Sequence, residues 1–114
     1  MIYRIVPKNV WECSGDVIPK APIDEQDGYI HLSSAETVLE TANLYFSKEQ
    51  EPVVLCFDER DFGPALRWEA VASRNGALFP HLYAPYLLCE QIRDVKALHV
   101  SSEGFSWGDS ILGV

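Results

Sequence analysis

Residues Val53–Phe57 read V-V-L-C-F, an unbroken apolar run. A run this short, apolar at every position, predicts a strand at the centre of a sheet, buried on both faces. Other segments read as extended around it: Met1–Val6, Tyr29–Ser33, Leu66–Val71, 77–84 around Pro80, 86–90 and 92–100. Ser73-Arg74-Asn75-Gly76 reads as a turn, with Asn-Gly the strong hairpin signal. Helical signals are fewer. Pro7 suits the start of a turn through about Cys13, with Val10 and Trp11 inward. A second helix follows Ser33. Ser33 and Ser34 are its candidate N-caps, and Ser33-x-x-Glu36 has capping-box spacing. Its apolar positions are Val38, Leu39, Ala42, Tyr45 and Phe46. Residues 14–28, punctuated by Gly15, Pro19, Pro22 and Gly28, read as loop, and 58–64 as a turn or short helix. Strands outnumber helices and no βαβ rhythm occurs. The predicted fold is a single α+β domain with a bent or split, mostly antiparallel sheet and few short helices.

A chain of 114 residues suits one domain. Folding hides roughly two-thirds of the surface of a chain this size, enough for a core without staples. Cys13, Cys56 and Cys89 are odd in number, widely spaced and lack a CxxC pair, so neither a disulfide framework nor a zinc ribbon is expected. Cys56 and Cys89 sit in apolar runs and read as buried thiols, which suits a reducing cytoplasm. Nine Lys and Arg against 17 Asp and Glu give a net charge of −8, which argues against nucleic acid and anionic membrane as partners. No apolar run has the length of a membrane span, and residues 1–10 lack the features of a secretion signal.

The period of two along a strand sorts the polar groups. Tyr29, His31 and Ser33 share one face, with Ile30 and Leu32 on the other. Arg67 and Glu69 point opposite to Leu66, Trp68 and Ala70. An extended backbone brings Phe79, His81 and Tyr83 together. Converging, these faces make a cleft with aromatic walls and directed polar groups, the usual composition of a small-molecule site. The structural alternative is a solvated sheet face, with histidines held for packing, Ser33 a helix cap and Arg67 and Glu69 paired across strands. Charge adds a hint. Residues 1–66 hold 5 basic and 12 acidic side chains, and 67–99 hold 4 and 3. Arg67 and Arg74 thus lie in the least acidic part, where a guanidinium can fork onto an anion such as phosphate. Dinucleotide, P-loop, zinc-protease and nucleophile-elbow motifs are absent. His31, His81 and a carboxylate such as Asp27 lack local ligand spacing, so no metal is expected.

The stretches D-G-Y-I-H-L-S-S-A-E-T-V (27–38), R-W-E (67–69) and F-P-H-L-Y (79–83), with I-Y-R-I at the start and Trp11, resemble the small bacterial proteins grouped as domain of unknown function 952. The resemblance covers nearly all of residues 1–99 and implies a domain over 1–100 with a C-terminal extension over 101–114. Phe105, Trp107, Ile111 and Leu112 in that extension suit packing onto the body or onto a partner. The family's fold is similar to that of ADP-ribosyltransferases, a split sheet that cradles nicotinamide adenine dinucleotide. Enzymes of that kind use a strand-borne H-x-[ST] element, which His31-Leu32-Ser33 resembles. They also use an aromatic on nicotinamide, here Tyr45, Phe79 or Tyr83, and a late glutamate, for which Glu69 is the candidate. The implied function is ADP-ribosyl or phosphoribosyl transfer or hydrolysis on a nucleotide-like ligand. His31 and Ser33 orient a ribose, with Tyr29 on the same face. Arg67 or Arg74 holds a phosphate. Glu69 steadies charge at the anomeric carbon, and His81 serves as acid or base. The alternatives are a non-catalytic small-ligand domain using the same cleft, and a protein-interaction module docking through Phe105 and Trp107.

Overall fold

In the computed structural model, which describes residues 1–12 and 15–111, the strand Val53–Phe57 (β4) is buried along its whole length. It pairs antiparallel with β1 (Ile2–Val6) on one side and β8 (Ile92–Ser101) on the other. β8 turns back into β9 (Gly104–Ser110), giving the order β1-β4-β8-β9. Strand alternation splits this sheet into two apolar faces. One presents Ile2, Val6, Val53, Leu55, Phe57 and Val95 to the larger core. The other presents Ile5, Val54 and Cys56 to Val38 and Ala42 of α3 (Val38–Tyr45). Side chains buried this fully contribute about 1.5–3 kcal/mol each, before the entropy of ordering them.

Two smaller sheets close the larger core. β2 (Val17–Ile18) pairs with β7 (Leu87–Leu88). β3 (Ile30–His31), β6 (Ala77–Leu82) and β5 (Leu66–Val71) lie in the order β3-β6-β5. Ile18, Ile30, Leu82 and Leu87 bring these sheets into the core. Beyond β3, Ser33 exchanges two main-chain hydrogen bonds with Tyr3, at 2.8 and 2.9 Å, so the chain steps from the small sheet to the edge of the large one. The result is a small single-domain α+β protein with mostly antiparallel sheets and few helices. Among the described residues no helix is long and apolar enough to cross a membrane.

Several expectations are corrected. Residues 14–28 are not a continuous loop: they hold β2 and a helix, α2 (Pro22–Asp27). Pro22 and Gly28 punctuate that helix rather than preventing it. Proline is tolerated in the first turn, and Gly28, at φ 81°, ends the helix with its N–H on the Asp24 carbonyl. Ser33 and Ser34 do not cap α3. The backbone of Ser33 is committed to Tyr3, and Ser34 opens a turn closed by Thr37, whose Oγ1 accepts from the Ser34 N–H at 3.0 Å. The helix begins at Val38, and Tyr45, counted with its apolar face, lies in solvent. The turn after Pro7 is the helix α1 (Lys8–Glu12), with Val10 and Trp11 against the core. Its predicted end at Cys13, and Leu112 of the tail, lie outside the described residues. Residues 58–64 form single 3₁₀ turns at Glu59–Asp61 and Gly63–Ala65. Cys89 is half-buried rather than buried, its thiol 2.9 Å from the Gly15 carbonyl. The tail packs on the body. Phe105 joins the α3 core and donates its N–H to Asn43 at 2.8 Å, and the Trp107 ring lies 5.7 Å from that of Tyr3.

Candidate functional site

β1 carries Arg4 on the same face as Ile2 and Val6, an arginine aimed into an apolar core. A charge there needs a partner. It finds Asp24 on α2, meeting Oδ1 at 3.2 Å and Oδ2 at 2.5 Å in a fork, and also donates to the His31 carbonyl at 2.8 Å. Asp24 does more. Its Oδ2 accepts from the Ala21 N–H at 2.8 Å, tying down the start of its own helix. Its Oδ1 accepts from the His31 N–H at 3.0 Å and lies 2.7 Å from His31 Nδ1. One buried carboxylate thus joins β1, α2 and β3. Burial alone would raise its pKa, but the hydrogen bonds of His31 and Arg4 and the charge of Arg4 outweigh that and hold it well below the usual carboxylate range.

The second nitrogen of His31, Nε2, lies 2.9 Å from Oδ2 of Asp27, the last residue of α2 before the Gly28 stop. Both contacts are satisfied together only when each ring nitrogen carries a proton.

His81 lies directly across β3–β6 from His31, ring centroids 5.9 Å apart. Tyr29 covers both rings, stacked on His81 at 4.0 Å and tilted against His31 at 4.6 Å. The Nδ1 of buried His81 meets Glu69 Oε1 of β5 at 2.9 Å, and Tyr83 donates its hydroxyl to the same oxygen at 2.6 Å. Those two bonds, Tyr83's first, hold the Glu69 carboxyl below its ordinary value, and the bond to Glu69 raises the Tyr83 phenol. Burial, then the charges of Asp27 and Glu69, raise the Tyr29 phenol. With Nδ1 committed to Glu69, His81 keeps Nε2 as its free edge. No described residue bonds it, and among the described residues the side-chain nitrogen or oxygen sealed from solvent without a bond is Nε of Arg4.

Arg67 completes the cluster, its guanidinium 5.0 Å from the centre of the Tyr83 ring. Among the described arginines, Arg4, Arg60, Arg74 and Arg93 each hold a carboxylate; Arg67 holds none.

The structure therefore brings Tyr29, His31, Arg67, Glu69, His81 and Tyr83 together. It places the other sequence candidates elsewhere. Ser33 is buried in the bridge to Tyr3. Arg74 is committed to α3, with Glu40 at 2.6 Å and Thr41 at 3.0 Å, and so fastens the β5–β6 hairpin to that helix; its guanidinium lies 4.6 Å over the ring of Phe79, which sits across from Glu69 on the face that carries His81 and borders the cluster. Tyr45 is far out in solvent on α3. Sequence reasoning missed Arg4 and Asp24 and weighed Asp27 only as a metal ligand. A signal for the first existed: an arginine in phase with Ile2 and Val6. A separate cavity of about 450 Å³, lined by Trp11, Val53, Leu98, Val100 and Ile111 among others, lies at the end of the large sheet and shares no lining residue with the cluster.

No curated protein matches the chain. Among solved structures, the crystal structure of protein CC0527 from Caulobacter crescentus superposes with a TM-score of 0.80 at 32% identity, covering 98% of this chain and 94% of that one. The solution NMR structure of CC0527 gives 0.74 at 34% identity, covering 91% and 89%. The model of the family described as "Protein of unknown function (DUF952)" matches residues 5–95, and the chain belongs to that family.

Proposed function

We propose that this protein is an acid–base enzyme acting on a small nucleotide-like ligand, on a fold resembling that of the ADP-ribosyltransferases. The observation that carries the reading is the placement of an uncommitted guanidinium, Arg67, beside a histidine whose Nδ1 is held by a carboxylate and whose Nε2 is free. A guanidinium of that kind suits a phosphate. An imidazole fixed at Nδ1–H by a carboxylate presents the Nε2 lone pair as a general base, and Glu69 is then a positioning group for His81. His31, held between Asp24 and Asp27 and directly across the strand pair from His81, is the second imidazole of the site.

With a nicotinamide-type dinucleotide as substrate, the C–N bond at the anomeric carbon breaks and nicotinamide departs. Water or an acceptor hydroxyl adds to that carbon and gives its proton to His81 Nε2. The net charge of −8 supports a small ligand over nucleic acid. Free thiols at Cys56 and Cys89 support a reducing setting, the cytoplasm.

The test is a thermal-shift panel of nicotinamide and adenine nucleotides, ADP-ribose and phosphate, followed by an assay for nicotinamide release. A ligand confined to the folded state stabilises it by about 2.7 kcal/mol at a hundredfold excess over Kd. The shift is expected to vanish in Arg67→Ala, an exposed position. No shift with any compound removes the nucleotide reading. Binding without turnover favours the second reading, a non-catalytic ligand domain, which has its own support: the Tyr29 ring already occupies the face of His81.

A further inference from the structure

Strand β5 ends its sheet, and no described strand pairs with its outer side. An open edge of N–H and C=O groups is a template for another strand unless proline, a bulge or a covering element blocks it. β5 contains no proline, and its register with β6 runs from Leu66 to Val71 without a shift. Its face opposite the histidines is apolar and open: Trp68 is 41% exposed, and Leu78, across from Ala70, is 56% exposed.

The order of charges selects the occupant. β5 reads Leu66-Arg67-Trp68-Glu69-Ala70. Consider two copies of this strand, antiparallel, with a two-fold axis through Trp68. Each Arg67 then lies opposite the partner's Glu69, Leu66 opposite the partner's Ala70, and the two indoles meet on the apolar face. Opposite-charge pairs facing each other across strands are stabilising and like pairs are not. Moving the axis by one residue sets Arg67 against itself or Glu69 against itself, so the sequence favours one register.

We propose that a second copy of this chain pairs along β5, forming a two-fold dimer in which the two three-stranded sheets become continuous. The partner's Arg67 then stands beside Glu69, whose Oε1 already serves His81 and Tyr83. A guanidinium has five donors, enough to meet that carboxylate and still reach an anion. The dimer therefore brings a group of one copy to the rim of the other's histidine cluster, whatever ligand that cluster takes.

Sedimentation velocity of the full chain, from micromolar to submillimolar concentration, reads the mass directly. The expected mass is twice that of one chain at the upper end. Arg67→Glu turns both pairs repulsive and is expected to weaken the dimer by about tenfold or more. Adding Glu69→Arg to that variant is expected to restore it. Trp68→Lys, at an exposed site, is expected to give monomer with an unchanged circular dichroism spectrum, and decides the matter if Arg67→Glu fails to fold. A wild-type monomer at every concentration overturns the proposal. So does a dimer that Trp68→Lys leaves intact, since the interface then lies elsewhere. Mass and ligand binding are separate readouts, so failure here leaves the ligand reading standing, and the converse also holds.

Discussion

The two halves of the histidine cluster use one chemistry in two settings. Each sets an imidazole Nδ1 against a carboxylate oxygen, at 2.7 Å for His31–Asp24 and 2.9 Å for His81–Glu69. The carboxylates differ. The side chain of Asp24 is 0% exposed and committed at both oxygens to Arg4, Ala21 and His31. The side chain of Glu69 is 38% exposed, and its two bonds fall on one oxygen. Burial decides what the same pair does. Out of water, a charge left alone costs far more than the pair gains, so Asp24 is fixed as a joint between three elements. Near water, the partners of Glu69 can be exchanged at little cost, which is what a site that meets a ligand needs.

Removing the charge from each side tests this contrast, and the largest effect belongs to Asp24. Asp24→Asn leaves Arg4 buried without a counter-charge. It is expected to cost about 3–5 kcal/mol in a urea titration. A loss below about 1 kcal/mol would erase the distinction between the two halves. Acid gives the same answer without a change of volume. The folded pKa of Asp24 is depressed, so its stabilisation is complete above the unfolded value, near about 3.9, and is lost as pH falls toward the folded value. Below about pH 4 the wild-type Tm is therefore expected to fall steeply. In Asp24→Asn the slope should be shallower, the remainder coming from Glu69 and Asp58, both also depressed.

Much of the second half was legible in the sequence and little of the first. Alternation in Tyr29–Ser33 and Phe79–Tyr83 put His31 and His81 on polar faces, and Asn75-Gly76 marked the turn that sets β5 against β6. Those are local signals, spaced by two residues or closed by one turn. Arg4 and Asp24 are 20 residues apart. The helix that presents Asp24 is six residues long, too short for a periodic apolar pattern, and its proline and glycine resemble loop residues when read alone. Ser33 failed for another reason: its hydroxyl suits a cap, but its backbone was taken by Tyr3, a partner that only the folded sheet supplies. Trp68 shows the same limit. Alternation gave its face correctly, but only the Leu66 end of β5 reaches the core, so at Trp68 that face meets solvent instead of packing.

The second prediction moves to the exposed half. Glu69→Gln keeps an oxygen for His81 Nδ1–H and Tyr83 O–H but removes the charge. Stability is expected to stay within about 1 kcal/mol of wild type, as for other pairs open to water. Turnover should fall if His81 acts as base, because the positive charge that develops on its ring loses its counter-charge. A stability loss as large as that of Asp24→Asn would mean that both carboxylates are structural joints and that neither half is adapted to a ligand.

The smallest change separates hydrogen bonding from burial as the source of the contrast. Tyr83→Phe keeps the ring beneath Arg67 and deletes only the hydroxyl that donates to Glu69 at 2.6 Å. The expected stability cost is about 0.5–1 kcal/mol. The informative readout is the carboxyl titration followed by carbon NMR. The Tyr83 bond is the leading cause of the depressed Glu69 pKa, so the Glu69 midpoint should move up toward its ordinary value. Asp24, held by Arg4 and His31, should keep its own. Glu69 would then be a carboxylate whose charge is set by one replaceable neighbour, open to adjustment when a ligand displaces that hydroxyl. A Glu69 midpoint that stays put would assign its depression to His81 and Arg67 instead. The two halves would then differ in exposure alone.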